Sequence, residues 1–151
     1  MNKLPIDASE KEIKDIIIEW NELMAQERYA EALELVPYDT NHYYNDSEWT
    51  PELLKSVVYG YGLAGYTKEE LEKEFGCIYK ITSLNNISNR NEIIQSIEIN
   101  YDMEWFEEND LAEILYDVPL NGSQSDLTAS FILRRVNDKY ITVIFEDLHV
   151  M

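Results

Sequence analysis

Leu127-Thr128-Ala129-Ser130-Phe131-Ile132-Leu133-Arg134-Arg135-Val136, then Asn137-Asp138, then Lys139-Tyr140-Ile141-Thr142-Val143-Ile144-Phe145-Glu146-Asp147-Leu148-His149-Val150: this stretch decides the fold. Leu127, Ala129, Phe131 and Leu133 alternate along the first run. Ile141, Val143 and Phe145 alternate along the second, with Tyr140, Thr142 and Ile144 on its other side. Period-two alternation of β-branched and aromatic residues predicts two strands, and Asn137-Asp138 between them predicts a tight turn. The chain closes on an antiparallel hairpin.

The same period extends towards the N-terminus. Ala112 to Val118 reads as a strand stopped by Pro119 and an Asn121-Gly122 turn. Ile93, Gln95, Ile97, Ile99 and Tyr101 alternate with Glu92, Ile94, Ser96, Glu98 and Asn100, which predicts another strand. Cys77 to Thr82 is a weaker candidate.

Further back the period changes to that of a helix. Ser9 with Glu12 forms a capping-box signature, followed by an apolar stripe of Ile13, Ile16, Ile17, Trp20, Leu23 and Met24. After a break near Gln26–Arg28, a second helix carries Tyr29, Ala30, Ala32, Leu33 and Val36, and Pro37 ends it. Thr50 caps a third with Pro51 in its first turn; Leu53, Leu54, Val57 and Val58 form its buried side. Gly60-Tyr61-Gly62 and Gly65 break that helix. Thr67 with Glu70 opens a short fourth one, which Gly76 closes. There is no internal repeat, low-complexity tract or linker. Helices first and antiparallel strands last predict a single α+β domain over 1–151, with helices packed on one face of a curved sheet.

Composition limits what such a domain does. Its 151 residues are 45% hydrophobic, enough for a real core, and its formal charge is −18. A field of that sign repels nucleic acid and anionic membranes and attracts cationic partners; acidity kept for solubility alone is the other account of it. One cysteine, Cys77, excludes an intrachain disulfide and a multi-cysteine metal site. Met1-Asn2-Lys3-Leu4-Pro5 has no signal-peptide pattern, and apolar runs such as Ile16-Ile17-Ile18 are too short to span a bilayer, so a soluble cytoplasmic protein is expected.

The acids are unevenly placed. From Asn91 to Leu133 there is no Lys or Arg against ten carboxylates: Glu92, Glu98, Asp102, Glu104, Glu107, Glu108, Asp110, Glu113, Asp117 and Asp126. Strand alternation turns Glu98 outward and brings Glu113 and Asp117 within reach of Arg134 or Arg135. Asp102, Glu104, Glu107, Glu108 and Asp110 stay clustered around Trp105, with Met103 and Phe106 beside it. An apolar centre with a charged rim is the anatomy of a binding patch; a strand end and turn with Trp105 buried is the plainer reading. Tyr38 to Trp49 forms a second acidic–aromatic loop. Its Tyr43, Tyr44 and Trp49 either anchor a partner's Arg and Lys side chains or close the core.

Catalytic chemistry is thinly represented. Asp147 and His149, two apart on one strand, share a face and are a candidate pocket pair, or a strand-end ionic contact. His42 lies in the aromatic loop, where it reads as a surface residue. Gly60-x-Gly62-x-x-Gly65 matches a dinucleotide pattern by letter but ends a helix, and the dense acids lack the spacing of a hard-cation loop. Neither a cofactor nor a metal is expected.

The layout resembles the nuclear-transport-factor-2-like (SnoaL-like) superfamily of α+β cones. The residues that carry the resemblance are Glu27-Arg28-Tyr29-Ala30-Glu31-Ala32-Leu33-Glu34-Leu35, the Pro-capped helix from Thr50, and the closing hairpin. The resemblance implies a conical fold, frequent dimerisation through the sheet, and either an enzyme or ligand pocket at the open end or a pure interaction module. Small acidic domains without catalytic motifs also resemble bacterial toxin-immunity proteins. The resulting expectation is a non-enzymatic interaction protein, an immunity protein that binds and neutralises a basic, nuclease-like toxin. Asp102, Glu104, Trp105, Glu107, Glu108, Asp110, Tyr43, Tyr44 and Trp49 would form the contact. The alternative is a small-ligand-binding or cyclase/isomerase-like enzyme of the same superfamily using Asp147 and His149; a homodimer is a third.

Overall fold

The computed structural model describes residues 1–38 and 48–151. Tyr43, Tyr44 and His42 therefore lie outside the described residues. Its elements are β1 (Leu4–Pro5), α1 (Glu10–Ala25), α2 (Tyr29–Leu35), α3 (Pro51–Tyr59), α4 (Lys68–Phe75), a 3-10 turn at Leu84–Asn86, α5 (Arg90–Gln95), β2 (Glu98–Tyr101), β3 (Asp110–Leu120), β4 (Ser123–Arg135) and β5 (Tyr140–Val150). The strands form one antiparallel sheet in the order β1-β5-β4-β3-β2, curled around the helices. The fold class is α+β.

Local chemistry sets the helix ends. Ser9 and Glu12 close a capping box on α1, and Thr67 and Glu70 close one on α4. The Leu53 N–H donates to Thr50 Oγ1 (3.1 Å) at the start of α3. Gly76 ends α4 in the left-handed region, at φ 80°. Between α1 and α2 the chain turns at Glu27, φ 58°, without a glycine.

α1 buries Ile13, Ile17, Trp20, Asn21 and Met24 against the sheet. Trp20 meets Phe131 edge-on at 5.2 Å between ring centroids and stacks on Phe145 at 6.1 Å. Leu127, Ala129, Phe131 and Leu133 of β4 face the same core, as do Ile141, Val143 and Phe145 of β5, in the pattern read from the sequence. Buried Asn21 accepts a hydrogen bond from the Tyr116 hydroxyl (2.7 Å), and the neighbouring Glu22 carboxylate accepts from the Ser83 hydroxyl (2.6 Å) and the Leu84 N–H (3.0 Å). Together these groups tie α1 to β3 and to the 3-10 turn.

Three irregularities bend the sheet. The β3–β4 register shifts between Asp110 and Ala112 and again between Asp117 and Pro119; the β4–β5 register shifts between Ser130 and Phe131, where β5 carries the extra residue Glu146. Bulges of this kind increase local twist. Asn121 (φ 48°) and Gly122 (φ 90°) make the two-residue loop between β3 and β4, both in the left-handed region that this hairpin type requires.

Several expectations are corrected. The strand read from Glu92 to Tyr101 is a helix followed by a strand. Ile93 and Ile97 are buried one helical turn apart while Gln95 between them is exposed, so helical spacing governs up to Ser96. Cys77–Thr82 makes a single bridge, Ile81 to Leu120, and no strand. Pro119 does not stop β3, which continues to Leu120 because the register shift places the proline at an irregular site. β1 carried no sequence signal. It is held by Asn2, whose side chain donates to the Leu35 and Val143 carbonyls (both 2.8 Å) and accepts from the Val143 N–H (2.8 Å).

Candidate functional site: the acidic–aromatic excursion and the outer sheet face

β2 ends at Tyr101, and the chain makes an excursion before re-entering the sheet at Asp110. Asp102, with φ at 56°, starts the turn. Met103 is exposed, and Trp105 and Phe106 pack edge-on against each other at 4.8 Å, half-buried and outside the main core. Asp102, Glu104, Glu107 and Glu108 are exposed around them. Among the described residues, none of these four carboxylates has an ion-pair or hydrogen-bond partner. Acids left without cations project their field outward.

Asp110 is different. Its side chain is 5% exposed and pairs with Arg134, Nε to Oδ1 2.9 Å, directly across the β3–β4 register. Its other oxygen accepts from the Glu107 N–H (3.0 Å). Asp110 thus anchors the excursion and is already occupied by a cation. Glu113 and Asp117 do not receive the arginines: Arg134 goes to Asp110, Arg135 pairs with Asp138, and Asp117 accepts from the Thr128 hydroxyl (2.6 Å).

Trp49 is placed inside. It is 7% exposed and meets Phe145 edge-on at 5.1 Å, so its ring belongs to the core; its indole nitrogen is buried without a described hydrogen-bond partner. With Trp20, Tyr116, Phe131 and Phe145 it fills the concave side of the sheet.

Asp147 and His149 come together as spacing implied, with Nδ1 of His149 3.0 Å from Asp147 Oδ2. Both are half-exposed, and they lie on the outer face, opposite the helices, where Ser130 pairs with Asp147 and Thr128 with His149. The neighbour that matters most there is Glu146, which the alternation of the strand does not single out. Glu146, in the bulge, has one carboxylate oxygen buried with no described partner, as does the Ser130 hydroxyl. Burial, then Glu113, Asp147 and Asp110, push the Glu146 carboxyl up to about 7. Burial and Glu98 likewise raise Glu113. Glu146 continues the alternation of β5 onto the outer face, which reads as solvated; the bulge that leaves it partly buried on that face has no sequence signature.

No protein family, curated protein or solved structure matches the chain. Its chemistry is therefore read from the geometry alone. No group of three or more His, Cys, Asp and Glu side chains among the described residues converges to hold a metal ion. No described helix is long and apolar enough to cross a membrane.

A separate surface cavity of about 300 Å³ is lined by Gly60, Tyr61, Leu63, Phe75 and Tyr79. Tyr61 and Tyr79 meet edge-on at 4.9 Å, and the Tyr61 hydroxyl donates to Asp126, which raises its pKa. By sequence Gly60 and Tyr61 belong to the break after α3 and Tyr79 to the weak strand candidate Cys77–Thr82; the cavity has no local signature because its lining comes from separate segments.

Proposed function

We propose that this chain is a non-enzymatic acidic binding module, an immunity protein of a bacterial cytoplasm that neutralises a basic, nuclease-like toxin. The observation that carries the reading is the Trp105–Phe106 pair, which lies outside the core and is ringed by exposed Asp102, Glu104, Glu107 and Glu108. Aromatic rings within a carboxylate rim grip Arg and Lys by stacking and by charge-assisted hydrogen bonds. A nuclease must hold phosphates with cations, so an acidic protein is steered to that groove and blocks it. The filled concave side supports binding over pocket catalysis in a nuclear-transport-factor-2-like cone.

Pull-down from the native host at low and high salt tests this. A basic protein is recovered at low salt and lost at high salt. The Glu104→Gln/Glu107→Gln/Glu108→Gln variant slows association about tenfold or more. Recovery of no basic partner at low salt rejects the proposal.

The second reading is a small-ligand binder, and the apolar cavity beside Tyr61 and Tyr79 favours it. In its enzymatic version Asp147 and His149 serve a substrate; unchanged turnover in His149→Ala removes that version. A homodimer through the sheet is tested by light scattering at several salt concentrations.

A further inference from the structure

β2 is a sheet edge with an open side. Its four residues pair only with β3, from Glu98 opposite Leu115 to Tyr101 opposite Ala112. No described residue hydrogen-bonds to the backbone on its other side. A strand so placed presents unpaired N–H and C=O groups to any chain that can lie alongside.

The opposite edge is treated differently. The outer side of β5 is covered by β1, by the Asn2 side chain and by a bridge from Tyr38 to Phe145. β1 itself ends on Pro5, which has no N–H to donate. β2 has no proline, no lysine and no bulge, the usual devices that stop an edge from pairing. Its protection is charge. Glu98 is exposed on the strand, and Asp102, Glu104, Glu107 and Glu108 follow it. Two copies of an edge with this charge, on chains of net charge −18, repel each other. The same charge attracts a basic strand.

We propose that the basic partner docks by adding a strand to the β2 edge. This rests on the acidic-binding reading and specifies its geometry. Glu98 and Asn100 share the outer face with Leu115 and Glu113, and Ile99 and Tyr101 share the core face with Ile114 and Ala112. The matching segment alternates. Its Lys or Arg residues fall on the outer face beside Glu98, and its apolar residues fall beside Ile99 and Tyr101. Main-chain hydrogen bonds supply affinity in this mode, and alternate side chains supply selectivity.

The test compares two capped hexapeptides of equal composition, Lys-Val-Lys-Val-Lys-Val and Lys-Lys-Lys-Val-Val-Val, titrated into the full chain at low salt. Affinity and amide hydrogen exchange are read by NMR. The alternating peptide binds at least about tenfold more tightly, slows exchange at Glu98–Tyr101 at least about tenfold, and loses that advantage when its backbone nitrogens are methylated. Glu98→Lys weakens it by at least about tenfold, the side chain being exposed so that the fold is retained. Equal binding of both peptides without protection at Glu98–Tyr101 overturns strand addition and leaves the acidic reading standing. Protection confined to another edge also overturns it. Binding of neither peptide at low salt overturns the acidic reading as well.

Discussion

Arg134 on β4 and Asp110 at the start of β3 face each other across the sheet with 2.9 Å between Nε and Oδ1, and this pair fixes one end of the acidic excursion to the hairpin that defines the fold. The arginine is 21% exposed and the carboxylate 5%, so water screens the contact weakly. The excursion is therefore a flexible-looking sequence held at a well-defined root.

Asp110→Asn tests that root. The variant keeps the shape, removes the charge facing Arg134 and weakens the acceptor for the Glu107 N–H. A loss of about 1–3 kcal/mol in urea unfolding is expected, as for a charged hydrogen bond, with faster amide exchange from Asp102 to Asn109. Unchanged exchange there would show that the excursion is held by something else.

Glu146 sets a pH dependence. Its folded pKa, about 7, lies above the usual 4.5, because burial and then Glu113, Asp147 and Asp110 oppose its charge. Arg134 from β4 and His149 from β5 are the cationic or titratable groups on the same outer face. A carboxyl that holds its proton more tightly when folded stabilises the fold below its unfolded pKa, and that contribution is lost as pH rises through the folded pKa. Stability from this group thus falls between about pH 4.5 and 7. Glu146→Gln carries no charge to bury, so it is the more stable protein above pH 7, by about 1–2 kcal/mol once partial exposure is discounted. Thermal unfolding of both proteins across that range checks it; a constant difference assigns the effect elsewhere.

Gly60→Ala is expected to be costly even though its φ is ordinary. A methyl group there meets the Leu63 carbonyl oxygen at 1.9 Å, and backbone must move to admit it. The expected loss is about 2–3 kcal/mol, read from denaturant unfolding, with shifted NMR signals around Tyr61 and Tyr79. A variant as stable as the parent would mean that the turn from α3 opens freely.

Asn2→Ala removes a side chain that makes one hydrogen bond to α2 and three to β5, the last accepted from the Thr142 hydroxyl. Buried partners are left unmatched, so a loss of about 2–3 kcal/mol is expected. Exchange at Val143 should accelerate with it. A neutral result would show that β1 contributes little to the sheet.

The sequence was most legible where one period ran unbroken. The Ser9, Thr50 and Thr67 caps and the β4–β5 hairpin follow from local rules, because capping and alternation act over a few residues. Glu92–Tyr101 is ambiguous because Ile93 and Ile97, four residues apart, satisfy both periods, and only packing decides between them. Within the acidic cluster, Asp102, Glu104, Glu107 and Glu108 stayed together at the surface. Asp110 and Trp49 went inside, each drawn by a partner far along the chain, Arg134 and Phe145. Long-range partners of this kind leave no mark in a local window.

The pairing of Leu4 with Ile141, and of Asn2 with Val143, has a consequence for the order of assembly. A ribosome releases α1 long before the hairpin against which Trp20 must pack. During that interval the apolar side of α1 has no sheet to cover it, and β1 has no neighbour. The nascent chain is therefore expected to stay protease-sensitive and chaperone-bound until β5 emerges, then to close in one late step. Arrested chains ending before Tyr140 should be digested readily, while chains with β5 clear of the exit tunnel resist.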